Sequence, residues 1–301
     1  MLEVLEKLKK MKVRRIFLQV PEGLMPRVQQ MAKEIEKGGF ECFICLEKTF
    51  GACDLREEEA KRLGCDCILH IGHSDFGIKT SLPVVYWEYF IDADPRNALD
   101  KCFDKLQPYK KIGLVANVQF AKLIPKVKSY LESRDKQVFV AKRLQYPGQV
   151  LGCRQDAAKA IEKNVDCFLC ISAGKFYALG LALSTDKPVL NLDLEREIIE
   201  NLEEEKAKAI KREAWAKSKL KEAKRVGILI SWKRGQLNLC SELKEKLVKD
   251  DKEVYVLVAD EITPEKIEGL KLDVLINCAC PRIAVDDATA YKIPVINVKN
   301  I

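Results

Sequence analysis

Histidine is scarce in this chain, two residues in 301, so imidazole-based acid–base networks and facial-triad iron sites have little to draw on. Long apolar runs are missing too: none approaches the roughly 20 residues of a membrane-spanning helix. The stretch from Met1 to Arg15 is charged and amphipathic, without the apolar centre of a secretion signal. The expected location is therefore cytoplasmic, with no membrane association. Charge of one sign is not concentrated either. There are 52 Lys and Arg against 45 Asp and Glu, a formal +7. Residues 108–190 carry about +8 without forming a Lys/Arg block, which reads as solvated surface, and no direct nucleic-acid binding is expected. The C-x₃-C-x₂-C run of ordinary radical S-adenosylmethionine enzymes is absent.

What the chain has in quantity is apolar content, 48% beside 32% charged residues, and cysteine, twelve in all. The first excludes disorder and, at this length, suits two or three domains. The second is anomalous for a reducing compartment, where disulfides do not persist. It leaves two roles, buried hydrophobe and metal ligand.

An internal repeat organises the chain. Three β-branched runs led by basic residues, Arg14–Val20, Lys110–Ala116 and Lys224–Ser231, read as buried strands. Each precedes a helical pattern (Pro26–Lys37, Ala121–Glu132, Gln236–Val248) and a second strand (Phe40–Cys45, Gln137–Ala141, Glu253–Val258). A further helix leads to a third strand headed by aspartate, at Asp66, Asp166 and Asp273, and a Pro-Val strand closes each unit. The pattern predicts three related α/β domains, with mostly parallel sheets flanked by helices, in a pseudo-threefold arrangement. Their bounds are 1–107, 108–193 and 224–301. Residues 194–223, rich in Glu, Lys, Ala and Leu, are expected to form a linker helix of about 45 Å at 1.5 Å per residue.

The repeat sorts the cysteines, because open α/β sheets build their sites in loops at the carboxyl ends of strands. Cys42, Cys45, Cys67, Cys167 and Cys170 fall inside predicted strands, and the C-x-x-C look-alikes 42/45 and 167/170 would send their sulfurs to opposite faces. Cys65, Cys102 and Cys240 fall within or at the end of helical stretches. Cys53 and Cys153 instead occupy the loop after the second strand, each thirteen residues before the aspartate that heads the next strand. The third unit has Thr263-Pro264 there, and offers Cys280, seven residues after Asp273 as His73 is after Asp66. Pro281 stops the strand beside it, and Cys278, further inside, is the second choice. One thiolate from each of three domains suits a [4Fe–4S] cluster with one iron left open for chemistry. A zinc site using the three sulfurs and His73 is the alternative, although such sites favour C-x₂-C knuckles close in sequence.

Two motifs mislead. His70-Ile71-Gly72-His73 spells a nucleotide-fold signature without its KMSKS partner. Gly72 to Thr80 resembles a phosphate loop with one residue too many before Lys79, which would carry the lysine off the phosphates.

Pro21-Glu22-Gly23-Leu24, Phe50-Gly51-Ala52-Cys53-Asp54, Gly72-His73-Ser74, Tyr146-Pro147-Gly148-Gln149 with Leu151-Gly152-Cys153, Gly174-Lys175-Phe176, and Asn277 to Asp287 occur in that order over nearly the whole chain. Together they resemble the archaeal diphthamide-synthesis radical enzymes, the 2-(3-amino-3-carboxypropyl)histidine synthases. The resemblance implies a cytoplasmic homodimer of three-domain subunits whose [4Fe–4S] cluster is held by Cys53, Cys153 and Cys280. It further implies a transferase that splits S-adenosyl-L-methionine into a 3-amino-3-carboxypropyl radical and methylthioadenosine. The radical adds to C2 of a histidine in translation elongation factor 2, its protein substrate, with the electron donor left unnamed. The residues expected to hold the cosubstrate are Arg282 for its carboxylate, Asp287 for its ammonium, and Ser231, Gln236 and Gln19 as hydrogen-bonding groups at strand ends. Two rival readings remain: a quinolinate-synthase-like dehydratase, which also draws one cysteine from each of three α/β domains, and a non-catalytic ligand-binding or scaffold protein.

Overall fold

The computed structural model describes residues 2–301. The three basic-led runs form the inner strands of three sheets of one topology. In the first, β1 (Arg15–Gln19), β2 (Glu41–Ile44), β3 (Cys67–Ile71) and β4 (Val84–Trp87) lie in the order β2-β1-β3-β4, all parallel. The second repeats this with β5 (Lys111–Ala116), β6 (Gln137–Phe139), β7 (Cys167–Ile171) and β8 (Val189–Asp193), in the order β6-β5-β7-β8. It adds β9 (Ile198–Asn201), antiparallel to β8. The third has β10 (Arg225–Ser231), β11 (Glu253–Ala259), β12 (Val274–Asn277) and β13 (Val295–Asn297), in the order β11-β10-β12-β13. The inner strands are apolar without alternation because both faces are covered: every residue of β3 and β7 is buried.

The helices are α1 (Leu2–Lys10), α2 (Val28–Lys37), α3 (Glu57–Arg62), α4 (Arg96–Lys101), α5 (Ile124–Glu132), α6 (Asp156–Lys159), α7 (Phe176–Ala182), α8 (Glu203–Glu222) and α9 (Ser241–Lys249). All three expected helices start late: 3-10 turns (Glu22–Arg27 and Val118–Leu123) precede α2 and α5, and α9 begins at Ser241 and not at Gln236. No helix of the described residues is long and apolar enough to cross a membrane.

The aspartate that marks each unit has a structural task. Asp66 Oδ2 accepts the N–H groups of Arg14 and Arg15 at 2.7 and 2.9 Å, Asp166 Oδ2 those of Lys110 and Lys111 at 3.0 and 2.7 Å, and Asp273 Oδ2 those of Lys224 and Arg225 at 3.1 and 2.8 Å. A carboxylate at the foot of the third strand thus satisfies the two leading donors of the first and fixes their register. The N–H groups hold Asp66 and Asp166 below the usual carboxylate range; the Arg225 guanidinium, then the backbone donors, brings Asp273 to about 2.

Two compact units emerge. One comprises the chain up to Ile91 together with Lys233–Gly235, and the other Asp92–Trp232 and Gln236–Ile301. The first boundary therefore falls before α4 and not at 107, since Lys105 Nζ donates to the Ile199 carbonyl and Lys101 pairs with Glu197, both on the second sheet's β9 side. The expected linker helix is shorter than 194–223. Residues 198–201 are β9, and α8 spans 20 residues, about 30 Å. On α8, Glu204–Lys208 and Glu213–Lys217 pairs brace the solvent side, while Ala216 packs into the core of the third sheet.

Candidate metal centre

Cys53 lies in the first unit, in the loop that leaves β2. Gln19, the last residue of β1, holds that loop from behind: its Nε2 donates to the Asp54 carbonyl at 3.0 Å, and its Oε1 accepts the Arg56 N–H at 3.1 Å. The Asp54 N–H closes a tight turn onto the Gly51 carbonyl at 3.0 Å. Residues 233–235, just beyond β10, complete the surround. Gly235 N–H donates to the Cys53 carbonyl at 3.0 Å, and Lys233 Nζ lies 2.6 Å from Asp54 Oδ2. Cys53 itself stays partly exposed.

Cys153 and Cys280 belong to the second unit. The Tyr146-Pro147-Gly148-Gln149 segment runs along the end of β5, with Ala116 N–H to the Gly148 carbonyl and Val150 N–H to the Ala116 carbonyl, both 2.9 Å. Gly148 has a positive φ of 68° and sits where a Cβ would come 3.0 Å from the Leu114 carbonyl, so glycine is required there. Leu151 and Arg154 then pair across Gly152-Cys153, which puts Cys153 at the exposed tip of a turn. Phe176, opening α7, lies flush against that turn. Its ring also carries the Arg282 guanidinium, 5.1 Å from the centroid. Cys280 leads a 3-10 turn, Pro281–Ala284, and is partly exposed. Asn277 at the end of β12 donates to the Cys280 carbonyl at 2.8 Å and to Asn297 Oδ1 at 2.7 Å, and Asn297 in turn donates to the Pro281 carbonyl at 3.1 Å.

Of the remaining cysteines, Cys45, Cys65, Cys67, Cys167, Cys170 and Cys278 are buried as the repeat predicts, whereas Cys42, Cys102 and Cys240 are partly exposed. No disulfide joins any of the twelve. Cys67, Cys167 and Cys170 are wholly buried, and burial pushes their thiols to about 11, 12 and 12, away from the thiolate that a metal needs. Cys42 and Cys45 pack into cores on opposite faces of the first sheet. Cys278 is buried, and both burial and the neighbouring Cys240 thiol raise its pKa. Of the two adjacent choices, Cys280 is the one turned toward solvent. His73 Nδ1 is 2.9 Å from His70 Nε2, and burial holds its pKa at about 4, so its imidazole is neutral. Among the described residues no three His, Cys, Asp or Glu side chains are gathered closely enough for one metal ion. A cluster makes a different demand, since each thiolate takes a different iron. The Gly72–Thr80 segment is irregular and opens no helix, which removes the phosphate-loop reading.

The expected cosubstrate residues divide. Arg282 is exposed, with its Nε 3.4 Å from Asp286 Oδ2, and Asp287 is exposed. Gln236 is partly exposed. Gln19 and Ser231 are not at the surface. Gln19 is fully buried with both ends of its amide engaged by the Cys53 loop, and Ser231 is buried with its hydroxyl donating to the Asp260 carbonyl at 3.1 Å. Their position at strand ends is as expected; the direction of their polar groups is not. Sequence reasoning missed Lys233, a lysine only 5% exposed, and the double contact of Phe176. The first had no sequence signal, whereas the second lay within the Gly-Lys-Phe motif.

A model of the diphthamide synthesis protein family matches residues 20–301. The chain is similar to the 2-(3-amino-3-carboxypropyl)histidine synthase of Pyrococcus horikoshii, 31% identical over 99% of this chain and 88% of that protein. The synthase of Methanocaldococcus jannaschii is 28% identical, with 93% and 81% covered. Subunit 1 of the Schizosaccharomyces pombe synthase is 28% identical, with 95% and 68% covered. Among solved structures, the crystal structure of Dph2 from Pyrococcus horikoshii with a 4Fe-4S cluster superimposes with a TM-score of 0.90 at 30% identity, covering 99% of this chain and 88% of that one.

Proposed function

The chain belongs to the diphthamide synthesis protein family, and we propose on that premise how its residues serve the activity for which its relatives are named. It is a 2-(3-amino-3-carboxypropyl)histidine synthase, a transferase of the first step of diphthamide biosynthesis, acting on a histidine of translation elongation factor 2. Cys53, Cys153 and Cys280 hold a [4Fe–4S] cluster, one thiolate to each of three irons. The observation that carries this is the contrast among the cysteines: these three stand partly or fully exposed in turns whose main chain is fixed by hydrogen bonds, while Cys67, Cys167 and Cys170 are sealed in strands. A donor set of thiolates alone fits iron and sulfide.

When bound and reduced, such a cluster supplies the electron that opens the sulfonium–Cγ bond of S-adenosylmethionine and frees the 3-amino-3-carboxypropyl radical. The chain's own contribution is to bind and orient. Arg282, its guanidinium plane fixed by the Phe176 face, presents paired donors to the cosubstrate carboxylate. Asp287 accepts from the ammonium and Gln236 adds a hydrogen bond, while Gln19 and Ser231 hold the loops behind. The same reading makes the protein a cytoplasmic homodimer.

The test is anaerobic turnover of the reconstituted, dithionite-reduced protein with S-adenosylmethionine and elongation factor 2, followed by mass spectrometry. The expected result is one 3-amino-3-carboxypropyl group on a histidine, with methylthioadenosine as the nucleoside product. Protein that stays colourless after reconstitution, or 5′-deoxyadenosine as the main product, would overturn the reading.

A further inference from the structure

A buried lysine needs a reason, because moving an ammonium out of water is costly unless it is paired. Lys233 is 5% exposed, and its Nζ lies 2.6 Å from Asp54 Oδ2 and 4.5 Å from the centroid of the Phe50 ring. Asp54 is 1% exposed and is the residue after Cys53. The next two residues reach the same wall. Arg234 pairs with the buried Glu57 at 2.9 Å and donates to the Lys79 carbonyl at 3.0 Å. The Gly235 N–H holds the Cys53 carbonyl, and a Cβ on Gly235 would come 2.5 Å from Cys53 Cβ and 2.6 Å from its Cα. Three consecutive residues thus grip the cysteine loop by a buried ion pair, a second ion pair and a backbone contact that only glycine permits. We infer that Lys233 is a positioning residue for the Cys53 thiolate, acting through Asp54, with Arg234 and Gly235 completing the clasp.

The inference rests on the cluster reading, but its first test does not require iron. Hydrogen exchange is followed in the iron-free, full-length chain on peptides covering residues 50–57 and 148–155. K233M is expected to speed exchange at 50–57 at least tenfold and to leave 148–155, around Cys153, unchanged; K233R, which keeps the cation, retains protection. Unchanged exchange at 50–57, or an equal rise at 148–155, would overturn the inference. If K233M does not fold, the double replacement D54N/K233M, which removes both partners of the ion pair and leaves the buried Arg56 its contact with Glu59, reports on the same loop. In reconstituted protein a chelator is expected to remove iron at least tenfold faster from K233M than from wild type, with K233R close to wild type. Equal release despite a loosened loop would separate Lys233 from the thiolate and overturn the inference. A wild-type chain that takes up no iron would instead sink the cluster reading, and the exchange result would stand.

Discussion

Replacing Gly152 by alanine tests whether the Cys153 turn and Arg282 are joined through one aromatic ring. The added Cβ would lie 2.0, 2.4 and 2.8 Å from Cζ, Cε1 and Cε2 of Phe176. Carbon atoms in contact want about 3.5–4.0 Å, so the ring has to retreat by roughly 1.5 Å. Overpacking of this kind costs about 1–3 kcal/mol. The retreat also weakens the Arg282 stack, now at 5.1 Å, which contributes about 0.5–1 kcal/mol at an exposed site. Gly152 has no positive φ, so alanine fits its backbone and recovers about 0.4–1 kcal/mol by restricting the unfolded chain. The net loss is about 1–3 kcal/mol, a fall in Tm of about 2–6 °C at roughly 2 °C per kcal/mol for a large chain. Urea unfolding of G152A, F176A and the double variant forms the cycle. Once the ring is gone the clash disappears, so G152A is expected to be neutral or slightly stabilising in the F176A background, a coupling of about 2 kcal/mol. The same cost for G152A in both backgrounds would refute the argument.

Three further outcomes are expected. C280S should lower the iron bound per chain after reconstitution and C278S should not, since Cys278 is buried beside Cys240; equal loss in both would reverse the choice. D166N weakens two charge-assisted bonds to Lys110 and Lys111 and should cost about 1–2 kcal/mol in urea, with no loss counting against the register role. The histidine pair, His70 fully buried and His73 partly so, should make the protein acid-sensitive. His73 is held at about 4 and His70 well below its ordinary value, by burial first. Both are neutral in the fold and protonated in the unfolded chain below about pH 6.5. Their stabilisation is therefore complete above pH 6.5 and is lost as pH falls toward 4. At about 1.4 kcal/mol per pH unit, His73 sets a ceiling of about 3 kcal/mol. H73Q should flatten the stability profile over that window, and an unchanged slope would contradict it.

The repeat was readable because its signals are local. Basic-led apolar runs, an aspartate heading each third strand and a Pro-Val strand at each end are short-range patterns, and all three sheets follow them. The Cys53 and Cys153 positions were legible for the same reason, their equal distance from that aspartate. What escaped depends on contacts remote in sequence. Residues 198–201 continue an unbroken Glu/Lys-rich helical composition, yet pairing with β8 overrides it. Gln19 sits at a strand end, where ligands are usually met, but its rotamer is decided by a loop 35 residues away. Lys233 looks like any surface lysine until Asp54, 179 residues earlier, is placed beside it.

That last separation has a consequence in time. Each sheet is stapled by an aspartate about 50 residues from its donors, close enough to close while the rest of the chain is still being made. The first domain can therefore fold early. Its Cys53 loop cannot be finished then, because Lys233 emerges from the ribosome only after a further 179 residues, about 10–40 s later at 5–20 residues per second. The domain that is synthesised first thus waits for a residue near the start of the third sheet before its cysteine loop is complete, and the Cys280 turn, which needs Asn297, follows later still.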